Sequence, residues 1–388
     1  MATGTAAAAD AYLQRLPADL LAAAPAATAW DEIQFVATLA MLVLGAWTVA
    51  SSGILERIGT RMDRAGQPRW MADAASGGAA GGLIALALLP LALIAALHSG
   101  GAPALPAALI VCLRQAAVCS LAGALIAPVL YALMRALPWL WAPLLGGVAA
   151  ILMFSAVWLP FATASGPTNL PTAPPGPARD GLMQLIAAVH LPAHEIYVSA
   201  NPAIDADVTG WGQARVVISH GLWISAPPAE LRASIGHLMG HYAHHDQLSI
   251  ALLLAALTFG LFIIVRRLAM PMARLMGLKE VEGPANPVAA PALIAVAVVY
   301  IWLAVTCDHA FIRWINVRAD QYSLDHAKEP DGLALALLDE WRGEAVDPSP
   351  LQEALFYDHP SLKSRIEHAM RWKAAHPTPA PAASGSGA

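Results

Sequence analysis

A chain of 388 residues that is 57% hydrophobic and only 13% charged is not a soluble globular protein, because ordinary soluble domains carry roughly 25% charged residues. Its mean hydropathy of +0.56 places it in a lipid bilayer, and a net charge of −5 without a basic cluster excludes nucleic acid as a partner. Three cysteines, Cys112, Cys119 and Cys307, with no CxxC pair exclude a disulfide framework and a cysteine metal site.

Residues 1–32 are Ala-rich and slightly acidic. They lack the basic start of a cleaved signal peptide and are expected to form an N-terminal tail. A bilayer crossing takes about 20 apolar residues, and six runs qualify, at about 33–52, 80–98, 106–134, 138–162, 248–265 and 289–307. The first four make a membrane block over 33–164, and the last two make another over 248–307.

Between the blocks the texture changes. Residues 165–179 hold Ser165-Gly166-Pro167 and Pro174-Pro175-Gly176-Pro177, a linker too rich in Pro and Gly for a regular helix. Asp180 to Val189 reads as an amphipathic helix. Glu195 to Ser199 and Ala214 to Ser219 read as strands, with the Gly210-Trp211-Gly212 turn before the second. Pro228-Ala229-Glu230-Leu231 opens a helix that runs on toward the fifth span, so residues 180–247 form the first part of a polar domain. Residues 308–375 are expected to be its helical second part, and 376–388, rich in Pro, Ala, Gly and Ser, a disordered tail.

Loop charges set an orientation. Arg57, Arg61, Arg64, Arg69, Arg135, Arg266, Arg267, Arg274 and Lys279 fall on one side, with Arg15 on the other. The positive-inside rule makes the first side cytoplasmic and puts the polar domain outside the cytoplasm.

The densest chemistry is Gly236-His237-Leu238-Met239-Gly240-His241-Tyr242-Ala243-His244-His245-Asp246. Two histidines at i and i+4 share one helix face and can reach one zinc ion, as in HExxH. There the glutamate after the first histidine polarises the metal-bound water; here that position holds Leu238. His244 or His245 reaches a common ion only if the helix kinks, because i, i+4 and i+8 spread over about 12 Å along the axis. A metal site and a polar helix end at the membrane surface are both open readings of the cluster.

Glu230 to His237, followed by His241 and Asp246, resembles the signature helix of the M48 metallopeptidases, the group of HtpX-like and Ste24-like (CAAX prenyl) membrane proteases. Three further segments fall in the family's order. Asp205 to Ile218 is similar to its Asn-Ala-…-Gly-x-Gly strand pair. Asn316-Val317-Arg318-Ala319-Asp320 is similar to its Glu-x-x-Ala-Asp segment, and Asp358-His359-Pro360 through Arg365-Ile366 to its closing His-Pro-…-Arg-Ile element. The resemblance covers about residues 180–372. It implies a mainly α polytopic membrane protein of about six transmembrane helices with a zincin-like α+β domain.

The resemblance also implies roles. His237 and His241 would be zinc ligands, with Asn316 at the third ligand position and Leu238 at the position of the catalytic base. Asp320 and Asp246 would support the ligands from behind, and His359 and Arg365 would lie near the cleft. Asp205, where the family has asparagine, would line the substrate cleft with Ala206, Gly210 and Gly212. An asparagine oxygen is a neutral, weak zinc ligand, a leucine accepts no proton, and losing a positioned base alone costs roughly 10²–10⁴ in rate. The expectation is therefore a membrane-embedded pseudo-protease that binds a polypeptide or a partner membrane protein, with zinc as the implied cofactor. The alternatives are an active zinc metallopeptidase with a non-standard base, and a histidine-cluster metal-binding protein. Asp308 and His309 are candidates for a rescue ligand. A bacterial inner membrane is the expected location, and the resemblance places the active site in the cytosol, against the loop charges.

Overall fold

Six helices long and apolar enough to cross a membrane organise the chain, at Ala18–Ser52, Arg69–Gly100, Ala102–Ala136, Trp141–Thr163, Asp246–Leu275 and Pro287–Ala327. The computed structural model describes residues 2–278 and 281–377. In chain order the N-terminal half holds α1 (Ala2–Leu13), α2 (Ala18–Ser52), α3 (Ile54–Arg64), α4 (Arg69–Leu86), α5 (Leu89–Gly100), α6 (Leu105–Ala136), α7 (Trp141–Thr163) and α8 (Pro177–Ala188). Three short strands follow, β1 (Ile196–Ser199), β2 (Ala206–Thr209) and β3 (Arg215–Ser219). Then come α9 (His220–Ser225), α10 (Pro228–Ala243), α11 (Asp246–Leu275), α12 (Ala290–Ala327), α13 (Pro330–Asp339), α14 (Pro350–Phe356) and α15 (Leu362–Ala375). The protein is a mainly α polytopic membrane protein carrying an α+β portion.

The chain divides into two compact units. One is Ala29–Phe154 with Leu252–Cys307. Hydrophobicity alone does not pair helices in lipid, so small residues that admit close backbone approach decide the contacts. On α4, Gly77, Gly78, Gly81 and Gly82 face α6: a Cβ on Gly81 would stand 2.5 Å from the Cys119 carbonyl, and one on Gly123 would overlap the Gly77 carbonyl. Beside this crossing Asp73, 1% exposed, accepts from Arg135 at 3.2 Å, and Arg135 also reaches the Ala285 carbonyl at 3.5 Å. Burying the carboxylate is tolerable because the guanidinium pairs with it.

The other unit is Met1–Thr28, Ser155–Ala251 and Asp308–Ala388. Its sheet has the order β1-β3-β2, with β1 parallel and β2 antiparallel to β3, Val198 opposite Ile218 and Val208 opposite Val216. Ile196, Val216 and Ile218 of the sheet pack with Leu182, Leu185 and Ile186 of α8 and with Leu231, Ile235 and Met239 of α10. A second core joins Ala9 and Leu13 of α1 to Leu333 and Leu337 of α13 and to Ile366 and Ala369 of α15.

Two expectations change. Residues 1–32 are not a tail: α1 is helical and docked, with the Tyr12 hydroxyl donating to Asp331 at 2.6 Å, and α2 begins at Ala18. Alanine favours helix intrinsically, and Ala9 and Leu13 supply the apolar contact. The histidine helix does not run into the fifth span: α10 stops at Ala243, and His245 at φ 55 turns the chain before α11 starts at Asp246. By contrast, the sixth span and the segment after it are one helix, since no Gly or Pro interrupts residues 292–327. The tail expected at 376–388 lies, from residue 378 on, outside the described residues.

Candidate functional site

Glycine brings α10 against α12. A Cβ on Gly236 would stand 2.9 Å from Ser323 Oγ, and one on Gly240 would stand 3.0 Å from Ala319 Cα. Ser323 Oγ donates to the Ala233 carbonyl at 2.7 Å and locks the crossing. His237 thereby meets Asp320, Nδ1 to Oδ1 at 2.8 Å. One turn later His241 Nδ1 meets Asp246 Oδ2 at 2.8 Å. The Nε2 atoms of the two histidines face each other at 3.0 Å, their rings edge-on at 85°.

Each carboxylate also takes an arginine. Arg365 donates to both Asp320 oxygens at 2.7 and 2.8 Å, and Arg318 pairs with Asp246 while stacking 4.2 Å over Trp314. Asp320 and Asp246 are each 1% exposed, so both are buried acceptors with cationic partners. Each ring thus turns Nδ1 toward a buried carboxylate and Nε2 toward the other ring. A carboxylate behind each ring is the arrangement that orients metal-bound histidine. Burial draws the His241 pKa below its ordinary value, against the pull of Asp246, and favours the neutral ring that a metal requires. Two convergent imidazoles, each with Nδ1 turned to a carboxylate, fit zinc, whose nitrogen ligands are a normal part of its donor set.

Leu238 packs against the core of the sheet. Asn316, 4% exposed, spends its amide nitrogen on the Ile312 carbonyl at 2.9 Å and has only a neutral oxygen left to offer. Among the described residues no group of three or more His, Cys, Asp or Glu is placed to hold a metal. The chain does turn at His244–His245, yet His244 Nδ1 is bonded to the Gly240 carbonyl at 2.7 Å and His245 lies against Trp211. Asp308 and His309 stand on α12 about two turns before Asn316 and feel the charge of Asp358. His359 is exposed and bonded to Asp358 at 2.9 Å, which is the main reason the Asp358 carboxyl is held down at about 2.

Of the residues implied for the cleft, Asp205 and Ala206 lie at the start of β2. Asp205 exchanges hydrogen bonds with Ser219, its N–H donating to Oγ and its carbonyl accepting from the Ser219 N–H. Gly210 and Gly212, at φ 109 and φ 81, shape the turn into β3 as only glycine does readily. Arg318 was not singled out in the sequence. Its signal was its place two residues before Asp320.

Comparisons with known proteins fit this geometry. The sequence profile of peptidase family M48 matches residues 179–373. The uncharacterized metalloprotease YhfN of Bacillus subtilis (strain 168) is 25% identical over 201 residues, covering 48% of this chain and 46% of that protein. A protease HtpX homolog of Syntrophobacter fumaroxidans is 26% identical over 205 residues, covering 47% and 71%. Protease HtpX of Stutzerimonas stutzeri is 26% identical over 190 residues, covering 43% and 63%. The chain thus spans about half the length of the first of these relatives. The crystal structure of S. mikatae Ste24p superposes with a TM-score of 0.45 at 15% identity, over 85% of this chain and 98% of that one.

Proposed function

This chain belongs to peptidase family M48, and from that premise we propose that it is a membrane-embedded pseudo-protease. It keeps the histidine pair of a metallopeptidase and binds polypeptide without efficient cleavage. The observation that carries the reading is the position of Leu238, packed against the sheet core where a general base would have to face the reacting water. Hydrolysis of a peptide bond needs a group to take the proton of that water, and leucine has no acceptor. Asn316 acts in the same direction, since its neutral oxygen stabilises a cation less than a carboxylate would.

The histidine pair is a separate matter. His237 and His241 would hold a zinc ion through Nε2, with Asp320 and Asp246 fixing the ring orientations; the ion, when bound, would supply Lewis-acid polarisation. The paired carboxylates and arginines behind the rings support retention of this half-site as a shape-determining element. A polypeptide or a partner membrane protein is the ligand class this reading takes from the family.

The test is direct. Purified protein is assayed for zinc by elemental analysis and for casein cleavage with and without chelator. Cleavage near background is expected, and chelator-sensitive cleavage with stoichiometric zinc would sink the proposal.

A further inference from the structure

A groove of about 440 Å³ lies between α12 and α15, with Glu353 of α14 in its wall. Arg313, Trp314 and Val317 of α12 line it together with Arg371 of α15. The buried part of the wall is the pair of Asp320, 1% exposed, and Arg365, 7% exposed. That volume is within the range of small-ligand sites. We propose that this groove binds the headgroup of an anionic phospholipid, whose phosphate is taken by Arg313 and Arg371.

The charges in the wall point to an anion. Arg365 spends two nitrogens on Asp320, so that pair cancels. Arg313 donates to the carbonyls of Tyr357 and Ala354. Both acceptors are neutral, so the guanidinium is fixed in place while its charge is left over. Arg371 has Glu367 at 3.5 Å, with 56% of the arginine exposed, and a surface pair of this kind is weak. Burial keeps His368, also in the wall, below its ordinary pKa, so it adds no charge at pH 7. Among the described residues of the wall, three arginines against two carboxylates leave one positive charge, which one phosphodiester balances. Guanidinium nitrogens match phosphate oxygens as a planar fork, and Glu353 would accept from the hydroxyls of a glycerol headgroup.

The placement of the groove on α12 points to a lipid. The apolar run of this helix ends at Cys307, and Arg313 follows six residues later without a break, about 9 Å along the axis. Helix side chains lean toward the N-terminus, here toward the apolar run. A headgroup layer is roughly 5–8 Å deep on each side of the hydrocarbon, so Arg313 starts at its outer limit and reaches back into it. Trp314 and Val317, 55% and 45% exposed, add apolar surface beside the cation. Tryptophan near the end of a span is the residue type that settles at headgroup depth, and basic pockets at such ends suit acidic headgroups.

Native mass spectrometry of the full chain in detergent micelles, titrated with phosphatidylglycerol, phosphatidylcholine or inorganic phosphate, reads the site. Wild type is expected to retain one phosphatidylglycerol at about tenfold lower concentration than phosphatidylcholine, and no inorganic phosphate over the same range. Loss of one hydrogen bond to a charged group weakens binding about tenfold or more, so Arg313→Gln and Arg371→Gln are each expected to lose that much affinity for phosphatidylglycerol. Arg371 is exposed, so its variant keeps the test sound if Arg313→Gln misfolds without its carbonyl contacts. Arg64→Gln, which removes an exposed arginine of α3, is expected to bind as wild type does. Equal retention of the two lipids, displacement of lipid by inorganic phosphate at equal concentration, or wild-type affinity in Arg371→Gln would overturn the proposal. So would an Arg64→Gln loss as large as that of Arg371→Gln, the mark of a general attraction between charges. None of these readings depends on metal or on peptidase activity.

Discussion

Arg365 reaches Asp320 through two nitrogens, at 2.7 and 2.8 Å, and does so around a carboxylate that is itself 1% exposed and bonded to His237. Removing one partner of a buried ion pair leaves a charge without solvent or counter-ion, a loss of about 3–5 kcal/mol. Arg365→Ala is expected to destabilise the protein by that order in denaturant titrations in detergent. Arg365→Lys is expected to recover only part of the loss, since an ammonium cannot make the forked contact.

The histidine pair and the two altered positions can be separated by restoration. Zinc bound per chain, measured after equilibrium dialysis, is expected to fall to background in His237→Ala and to rise above wild type in Leu238→Glu with Asn316→Glu. A double variant that binds no more zinc than wild type would show that Asn316 is not the third ligand position.

Much of this could be read from the sequence, and what could not has local reasons. The six membrane helices followed from hydropathy, since a bilayer crossing demands about 20 apolar residues whatever the fold. The strands β1 and β3 followed from their β-branched runs, whereas β2, with two aspartates in its neighbourhood, came only with the family's strand pair. The helix α1 was missed because alanine carries too little hydrophobic contrast to mark a face; its partners lie more than 300 residues away. At the site, His237 and His241 were legible from their spacing. Asp320 and Asp246 behind the rings came with the family resemblance, whereas the arginine on each carboxylate did not, because Arg318 and Arg365 reach them across the fold.

The crossing of α4 and α6 has no room for a side chain at Gly123. Gly123→Val is expected to cost about 1–3 kcal/mol through overpacking, read as a lower thermal midpoint in micelles. The same change at Gly147, where nothing lies within 4 Å of an added Cβ, is expected to be close to neutral.

His368, bonded to Gln321 at 2.9 Å, is held below its ordinary pKa by burial, against the charge of Asp320. The unfolded chain takes up this proton near pH 6.5 and the folded chain only at lower pH, so the contribution is intact above 6.5 and is lost as pH falls. His368→Gln is expected to flatten part of the decline in thermal midpoint between pH 7 and 5.5.

Orientation is a further proposal, resting on the loop arginines. A cysteine at Gln213, on the turn before β3, is expected to react with an impermeant maleimide from outside intact cells, and one at Gly66 only after permeabilisation. The reverse pattern would turn the polar unit to the cytosol.

The docking of α1 sets a timetable for synthesis. Tyr12 finds Asp331 only after 319 further residues have been made. At roughly 5–20 residues per second this is a wait on the order of tens of seconds, during which the six apolar helices emerge and insert. Throughout that interval the sticky side of the first helix, Ala9 and Leu13, has no native neighbour. The nascent chain must therefore keep its opening segment sheltered from the bilayer and from other chains until its last helices arrive to cover it.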